Sequence, residues 1–152
     1  MPLVTEEHEE FRRAVRRFTE EEIVPIASEL DAKKAEIPME IIQKMAEQGY
    51  FGVLFKEEYG GLGLDNITMA IVAEELSKGW LSVGSVMTRG IIMGTLLEAH
   101  GTEEQKKKYL PGLAIGQILP AAAFTEPDAG SDSASMRLKA TKTDGGYLLN
   151  GA

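Results

Sequence analysis

Over roughly the first 115 positions the apolar residues fall three and four apart; beyond Gly116 they run together or alternate, a change from helical to strand period. Thr5 reads as an N-cap with Glu6 and Glu7 in the first turn, and Phe11, Val15 and Phe18 then share one helical face. Glu9 and Arg13 form an i,i+4 pair on that helix. Pro25 ends or kinks it, with a short continuation to about Lys34. A second helix starts near Pro38, aligns Met39, Ile42 and Met45/Ala46, and runs to Gly49. The glycines of YGGLGLD (59–65) mark a loop, after which Asn66 reads as the cap of a third helix, Ile67 to Lys78, stopped by Gly79.

A fourth helix spans roughly Ser82 to His100, and its Gly90 and Gly94 share a face on which a neighbouring helix can approach closely. Gly101 stops it, and Thr102-Glu-Glu-Gln105 is a capping box that opens a fifth helix to about Leu113. Ile118–Phe124 reads as a strand, Met136–Lys142 alternates as a half-buried strand does, and Asp144-Gly145-Gly146 turns the chain into Tyr147–Leu149. This predicts a helical domain over 1–116 and the start of a β domain over 117–152, the chain ending as a truncation with three strands in hand.

Composition narrows the chemistry. Lys+Arg 16 against Asp+Glu 24 leaves a net charge of −8, which excludes nucleic acid as a general partner. With no cysteine, disulfides, thiolate metal sites and cysteine nucleophiles are excluded, and no metal site is expected. The acidic start MPLVTEEHEE is neither a secretory signal nor a transit peptide, and Val83–Leu97 is too short and mixed to span a bilayer, so a cytoplasmic protein with no membrane role is expected. Of the two histidines, His8 reads as solvated among glutamates and His100 as complementing a helix C-terminus or packing in the core. Lys106–Lys108 reads as a solvated helix face beside Glu103 and Glu104, with attraction of ligand phosphates as the rival reading.

The stretch AFTEPDAGSD (123–132) holds the candidate chemistry. Thr125 and Ser131 supply hydroxyls, and Gly130 lets successive backbone N–H groups converge on an anion such as a pyrophosphate. Pro127 and Asp128 suit a turn, while Glu126, Asp128 and Asp132 repel an anion unless they point away. On spacing alone, a plain turn and an anion cradle both stand open.

Five motifs in order, EEYGGLGLD (57–65), AEEL (73–76), GTEEQKKKYLP (101–111), AFTEPDAGSD (123–132) and GYLLNGA (146–152), resemble the N-terminal portion of the FAD-dependent acyl-CoA dehydrogenase family, over essentially the whole chain. The resemblance implies a mainly α fold: the family's helical N-terminal domain, then the first strands of a truncated β-barrel-like middle domain. It implies that FAD is held by Phe124 and Thr125 at the isoalloxazine and by Gly130 and Ser131 at the pyrophosphate, with Ser131 also near the acyl-CoA thioester. Ser85, Thr88 and Arg89 fall on the helix that builds part of the acyl pocket in the family, where an arginine can pair with a carboxylated acyl group or reach out to solvent.

The implied reaction is oxidation of an acyl-CoA to a 2-enoyl-CoA, with electrons passed to an electron-transfer flavoprotein by a homotetramer or homodimer. A flavin oxidase of the acyl-CoA or nitroalkane type and a non-catalytic helical module are the rivals. The family's base is a glutamate from a C-terminal domain, so no catalytic residue is expected in this chain, which by itself is expected to be inactive.

Overall fold

The computed structural model describes residues 3–151 as two units, Met1–Ala121 and Ala122–Ala152. The first is helical. Helix α1 (Glu6–Phe18) begins at Thr5, whose hydroxyl accepts from the His8 amide while the His8 ring accepts from the Thr5 amide, a reciprocal box closed by a histidine. A π-helical turn, Thr19–Ile23, joins α1 to α2 (Val24–Ala32), which carries Pro25 in its first turn. The widened turn accommodates the proline, which has no N–H to donate and whose ring would crowd the preceding turn of an α-helix.

Helix α3 (Met39–Glu47) follows Pro38 and ends at Gly49, whose φ of 74° is the left-handed conformation that favours glycine. The YGGLGLD loop folds back on the preceding segment: the Leu62 amide donates to the Gly52 carbonyl, Gly63 to Phe55 and Leu64 to Val53, each at 2.8 Å. It delivers Asp65, whose carboxylate accepts from the Thr68 amide at 2.8 Å and caps α4 (Asn66–Gly79). The cap is therefore Asp65 rather than Asn66; an ionised carboxylate is the stronger acceptor for helix-terminal N–H groups. Helices α5 (Leu81–His100) and α6 (Glu103–Ala114) follow, the latter opened by the expected Thr102/Gln105 box.

The core forms in two clusters. Val15, Ile23, Met45, Val72, Leu76, Val83 and Met87 fill the larger, and Phe55, Tyr59, Leu110, Leu113 and Ala114 the smaller. The glycine face of α5 receives rings, not a helix backbone: a Cβ at Gly94 would overlap the Phe55 ring, and one at Gly90 would lie 3.6 Å from Phe51. The close helix approach falls instead at Gly84, where a Cβ would overlap Ser77 of α4. Helices α1 and α4 are joined by charge, since the buried Glu75 carboxylate accepts from Arg16 Nε at 2.9 Å, Arg12 Nη1 at 3.1 Å and Lys78 Nζ at 3.0 Å. These bonds, that from Arg16 foremost, hold the Glu75 carboxyl down at about 2 against the burial that opposes them. No described helix is long and apolar enough to cross a membrane.

The second unit contains an antiparallel hairpin, β1 (Lys139–Thr143) paired with β2 (Gly146–Asn150) in register Thr141↔Leu148. Asp144 and Gly145 make its two-residue turn, with Gly145 at φ 96°. Two expectations fail here. Ile118–Phe124 forms no strand: the Ile118 amide is taken by the Gly112 carbonyl of α6 at 2.9 Å, and Pro120 has no N–H to offer a ladder. Nor is the hairpin half-buried, since every residue of both strands is exposed. The alternation from Met136 predicts an earlier start for β1, but the Arg137 and Leu138 amides are already bonded to a side chain of the preceding loop.

Candidate functional site

That side chain is Glu126. Its carboxylate accepts from the Arg137 amide at 2.7 Å and from the Leu138 amide at 2.9 Å, fastening the 123–132 loop to the entry of β1. The loop closes on itself through Glu126 N–H to the Ala129 carbonyl (2.9 Å) and Ala129 N–H to the Glu126 carbonyl (3.2 Å), with Pro127 and Asp128 at the tip. Asp128 accepts from Arg137 Nη1 at 3.4 Å, and Asp132 accepts from the Ser135 hydroxyl. All three acids that count against an anion cradle are thus engaged with protein donors.

The amides of Gly130, Ser131, Asp132 and Ser133 donate to no acceptor among the described residues, and a Cβ at Gly130 would meet nothing within 4 Å. Exposed amides beside a side-chain-free position are what an anionic group such as a pyrophosphate requires. Phe124, 61% exposed, and Thr125 line a cavity of about 280 Å³ together with Ala123, Glu126, Met136 and Leu138. The structure therefore brings Phe124 and Thr125 into one concavity and leaves Gly130 and Ser131 outside its lining. Met136 and Leu138 complete its wall; read as strand residues, they carry no signal in the sequence that they face this loop.

In the helical unit a second cavity, about 640 Å³, lies between α5 and the segment leading into α3. Ser85 and Arg89, four apart and so on one face of α5, both line it. Thr88 does not: its hydroxyl donates to the Gly84 carbonyl at 2.8 Å within the helix. Ser82, Ile37, Met39, Leu81, Val86 and Leu119 share the lining, and Glu36 adds a carboxylate. Ile37 and Glu36 were illegible as site residues because nothing local shows that the 35–38 loop folds back toward α5.

The remaining candidates have structural roles. His8 is not solvated, its side chain being only 12% exposed; Nδ1 accepts from the Thr5 amide, so Nε2–H donates to the Asp65 carboxylate at 3.1 Å. It thereby links the caps of α1 and α4. His100 is exposed in the last turn of α5, where a basic group complements the helix dipole. Lys106 pairs with Glu103 at 2.9 Å. Among the described residues, no group of three or more His, Cys, Asp or Glu side chains could hold a metal ion.

Comparison with known proteins agrees with the motif order. Residues 5–117 match the family described as acyl-CoA dehydrogenase, N-terminal domain. The chain is 44% identical over 146 residues to (2S)-methylsuccinyl-CoA dehydrogenase of Cereibacter sphaeroides, covering 96% of this chain and 27% of that protein. It is 41% identical over 150 residues to the short-chain specific acyl-CoA dehydrogenase of Clostridium acetobutylicum, covering 98% and 39%. Among solved structures, glutaryl-CoA dehydrogenase from Mycobacterium smegmatis in complex with FADH2 superposes with a TM-score of 0.89 at 27% identity, over 98% of this chain and 38% of that one. The chain thus spans between 27% and 39% of the length of these proteins. With a family match over residues 5–117 and the same helical architecture, the chain belongs to the acyl-CoA dehydrogenase family, of which it carries the N-terminal portion.

Proposed function

We propose that this chain supplies the helical wall and the first β segment of an FAD-dependent acyl-CoA dehydrogenase. The complete enzyme removes a proton from Cα and a hydride from Cβ of an acyl-CoA, giving the 2-enoyl-CoA and passing the electrons to an electron-transfer flavoprotein. The observation that carries the cofactor assignment is the inward engagement of Glu126, Asp128 and Asp132, which removes the charge conflict from a loop with unengaged amides. FADH2 in the Mycobacterium smegmatis relative supports the same cofactor.

FAD, when bound, supplies the acceptor for the Cβ hydride. The residues of this chain hold and orient: Phe124 offers an apolar ring and Thr125 a hydroxyl for the flavin, while Gly130 and Ser131 offer backbone amides, and Ser131 a hydroxyl, for the pyrophosphate. Ser131 would also serve the thioester arm of the substrate, and Ser85 and Arg89, which line the α5 cavity, belong to the acyl side of the site, whereas Thr88 lies outside that lining. No residue of this chain is assigned as the base. A homo-oligomer and a cytoplasmic location belong to the same proposal.

The test is a charge placed at the pyrophosphate amides. In the complete protein Ser131→Asp sets a carboxylate beside them, and FAD affinity, read by flavin fluorescence, is expected to fall at least about ten-fold. Undiminished FAD retention removes this loop from the cofactor site. Absence of flavin bleaching when wild-type protein meets any acyl-CoA of a panel overturns the dehydrogenase reading.

A further inference from the structure

The cavity that Phe124 and Thr125 share has two walls that lie apart along the chain. One is the run Ala123–Glu126; the other is Met136 and Leu138, two apart and so on one side of the segment entering β1. Apolar packing does not hold these walls in place. Among the described residues of 122–151 only Ala129 is buried, and both strands of the hairpin are exposed throughout.

Two side chains of the loop reach across to the second wall among the described residues. Asp128 pairs with Arg137 at 3.4 Å, but with the two side chains 72% and 79% exposed such a pair contributes little. Glu126 is the stronger tie: its Oε2 accepts from the Arg137 amide at 2.7 Å and its Oε1 from the Leu138 amide at 2.9 Å, across eleven and twelve positions. The same two bonds close the loop that carries the unengaged amides. Residues 127–135 leave one wall and return to the other, and Gly130, Ser131, Asp132 and Ser133 lie within them. Joining the ends of a loop removes freedom that its amides would otherwise lose only on binding an anion. One carboxylate therefore sets both the spacing of the cavity walls and the convergence of the amides.

On the reading that this loop holds FAD, we propose that Glu126 is the positioning residue of the flavin site. It acts through the Arg137 and Leu138 amides, holding Met136 and Leu138 opposite Phe124 and Thr125 and keeping the 130–133 amides together for the pyrophosphate. Glu126 also brings a negative charge toward a site for an anion. Charge alone would make its neutral replacement bind FAD more tightly, whereas loss of positioning makes it bind less tightly.

The test titrates FAD into apoprotein of the complete enzyme as wild type, Glu126→Gln, Glu126→Asp and Asp128→Asn. Flavin fluorescence and visible absorption report binding, and circular dichroism reports the unfolding midpoint of the helices. Glu126→Gln keeps one acceptor oxygen and turns an NH2 group toward the other amide, so the Kd for FAD is expected to rise at least about ten-fold. The absorption bands of the flavin that still binds are expected to move toward those of free FAD. Glu126→Asp keeps the charge on a stem shorter by one methylene, which draws the carboxylate back from the amides, and is expected to weaken binding too. Asp128→Asn removes the same charge from the loop tip and breaks only an exposed pair, and is expected to bind FAD at least as tightly as wild type.

Unchanged or tighter FAD binding in Glu126→Gln overturns the inference. So does an equal weakening in Asp128→Asn, which assigns the effect to the charge of the loop. Weakening that comes with a lower helical unfolding midpoint makes Glu126 a stabiliser of the whole fold and overturns it as well. If Ser131→Asp loses FAD while Glu126→Gln keeps it, this inference sinks alone; wild-type protein that binds no FAD sinks the flavin reading with it.

Discussion

The helical unit and the 122–151 segment are held together by different forces. In the first, Ile23, Met45, Val53, Phe55, Val72, Leu76, Val83, Met87 and Leu110 are wholly shielded from solvent. In the second, Ala129 is the only buried residue among those described, and shape comes from a ladder, a turn and the carboxylates of Glu126 and Asp132. Apolar burial scales with area and stabilises the helical unit independently of any ligand, whereas exposed hydrogen bonds compete with water and contribute about 1 kcal/mol each. The difference separates two tasks. The helical unit is a scaffold, and the loop is a set of polar groups arranged by local contacts and open to a ligand.

Removing core volume tests the scaffold most severely. Phe55 packs against α6 residues and fills the space that Gly94 leaves on α5, so Phe55→Ala is expected to cost about 4 kcal/mol, read as a drop in the midpoint of helix unfolding by circular dichroism. A loss below about 1 kcal/mol would show that the smaller cluster does not carry the scaffold.

The next effect lies at Glu75, the one fully enclosed charge among the described residues. Glu75→Gln leaves Arg12, Arg16 and Lys78 without their shared carboxylate and is expected to cost about 2 kcal/mol at neutral pH. The carboxyl titrates at 4.5 in its ordinary state and at about 2 when folded, so its contribution is complete above pH 4.5 and is lost as pH falls toward 2. Wild type and Glu75→Gln should therefore differ at pH 6 and converge as the pH approaches 2. Parallel stability curves across that window would break the assignment.

The smallest effect sharpens the contrast. Glu126→Gln weakens the acceptor for the Arg137 and Leu138 amides, and about a ten-fold loss of hydrogen-exchange protection at those two amides is expected, with the helical unfolding midpoint unmoved. A shift of that midpoint would mean that the two regions do not differ in the way described.

Legibility followed the same division. Helix starts at Thr5 and Thr102, the stops at Gly49 and Gly101, and the Asp144-Gly145 turn were readable because caps and turns depend on residues within four positions. Errors arose where a distant group competes. The apolar run at Ile118 was claimed by the end of α6 and broken by Pro120, and the His8 side chain was drawn out of solvent by Asp65, a residue far along the chain. The spacing of Gly90 and Gly94 predicts a neighbouring helix, but Gly94 receives the Phe55 ring and Gly90 only ordinary contact with Phe51, residues outside any local window.

For the candidate site, residue type alone named the hydroxyls, the glycine and the unusual arginine of α5, because chemistry resides in side chains. What the acids of the 123–132 loop point at, and whether Arg89 faces a cavity or a partner, depended on the folded chain. An electrostatic pair is defined by distance in space, and only tertiary structure sets that distance: it turned Glu126 onto the amides at 137 and 138, and it gave Glu75 three cations while giving Arg89 no partner among the described residues.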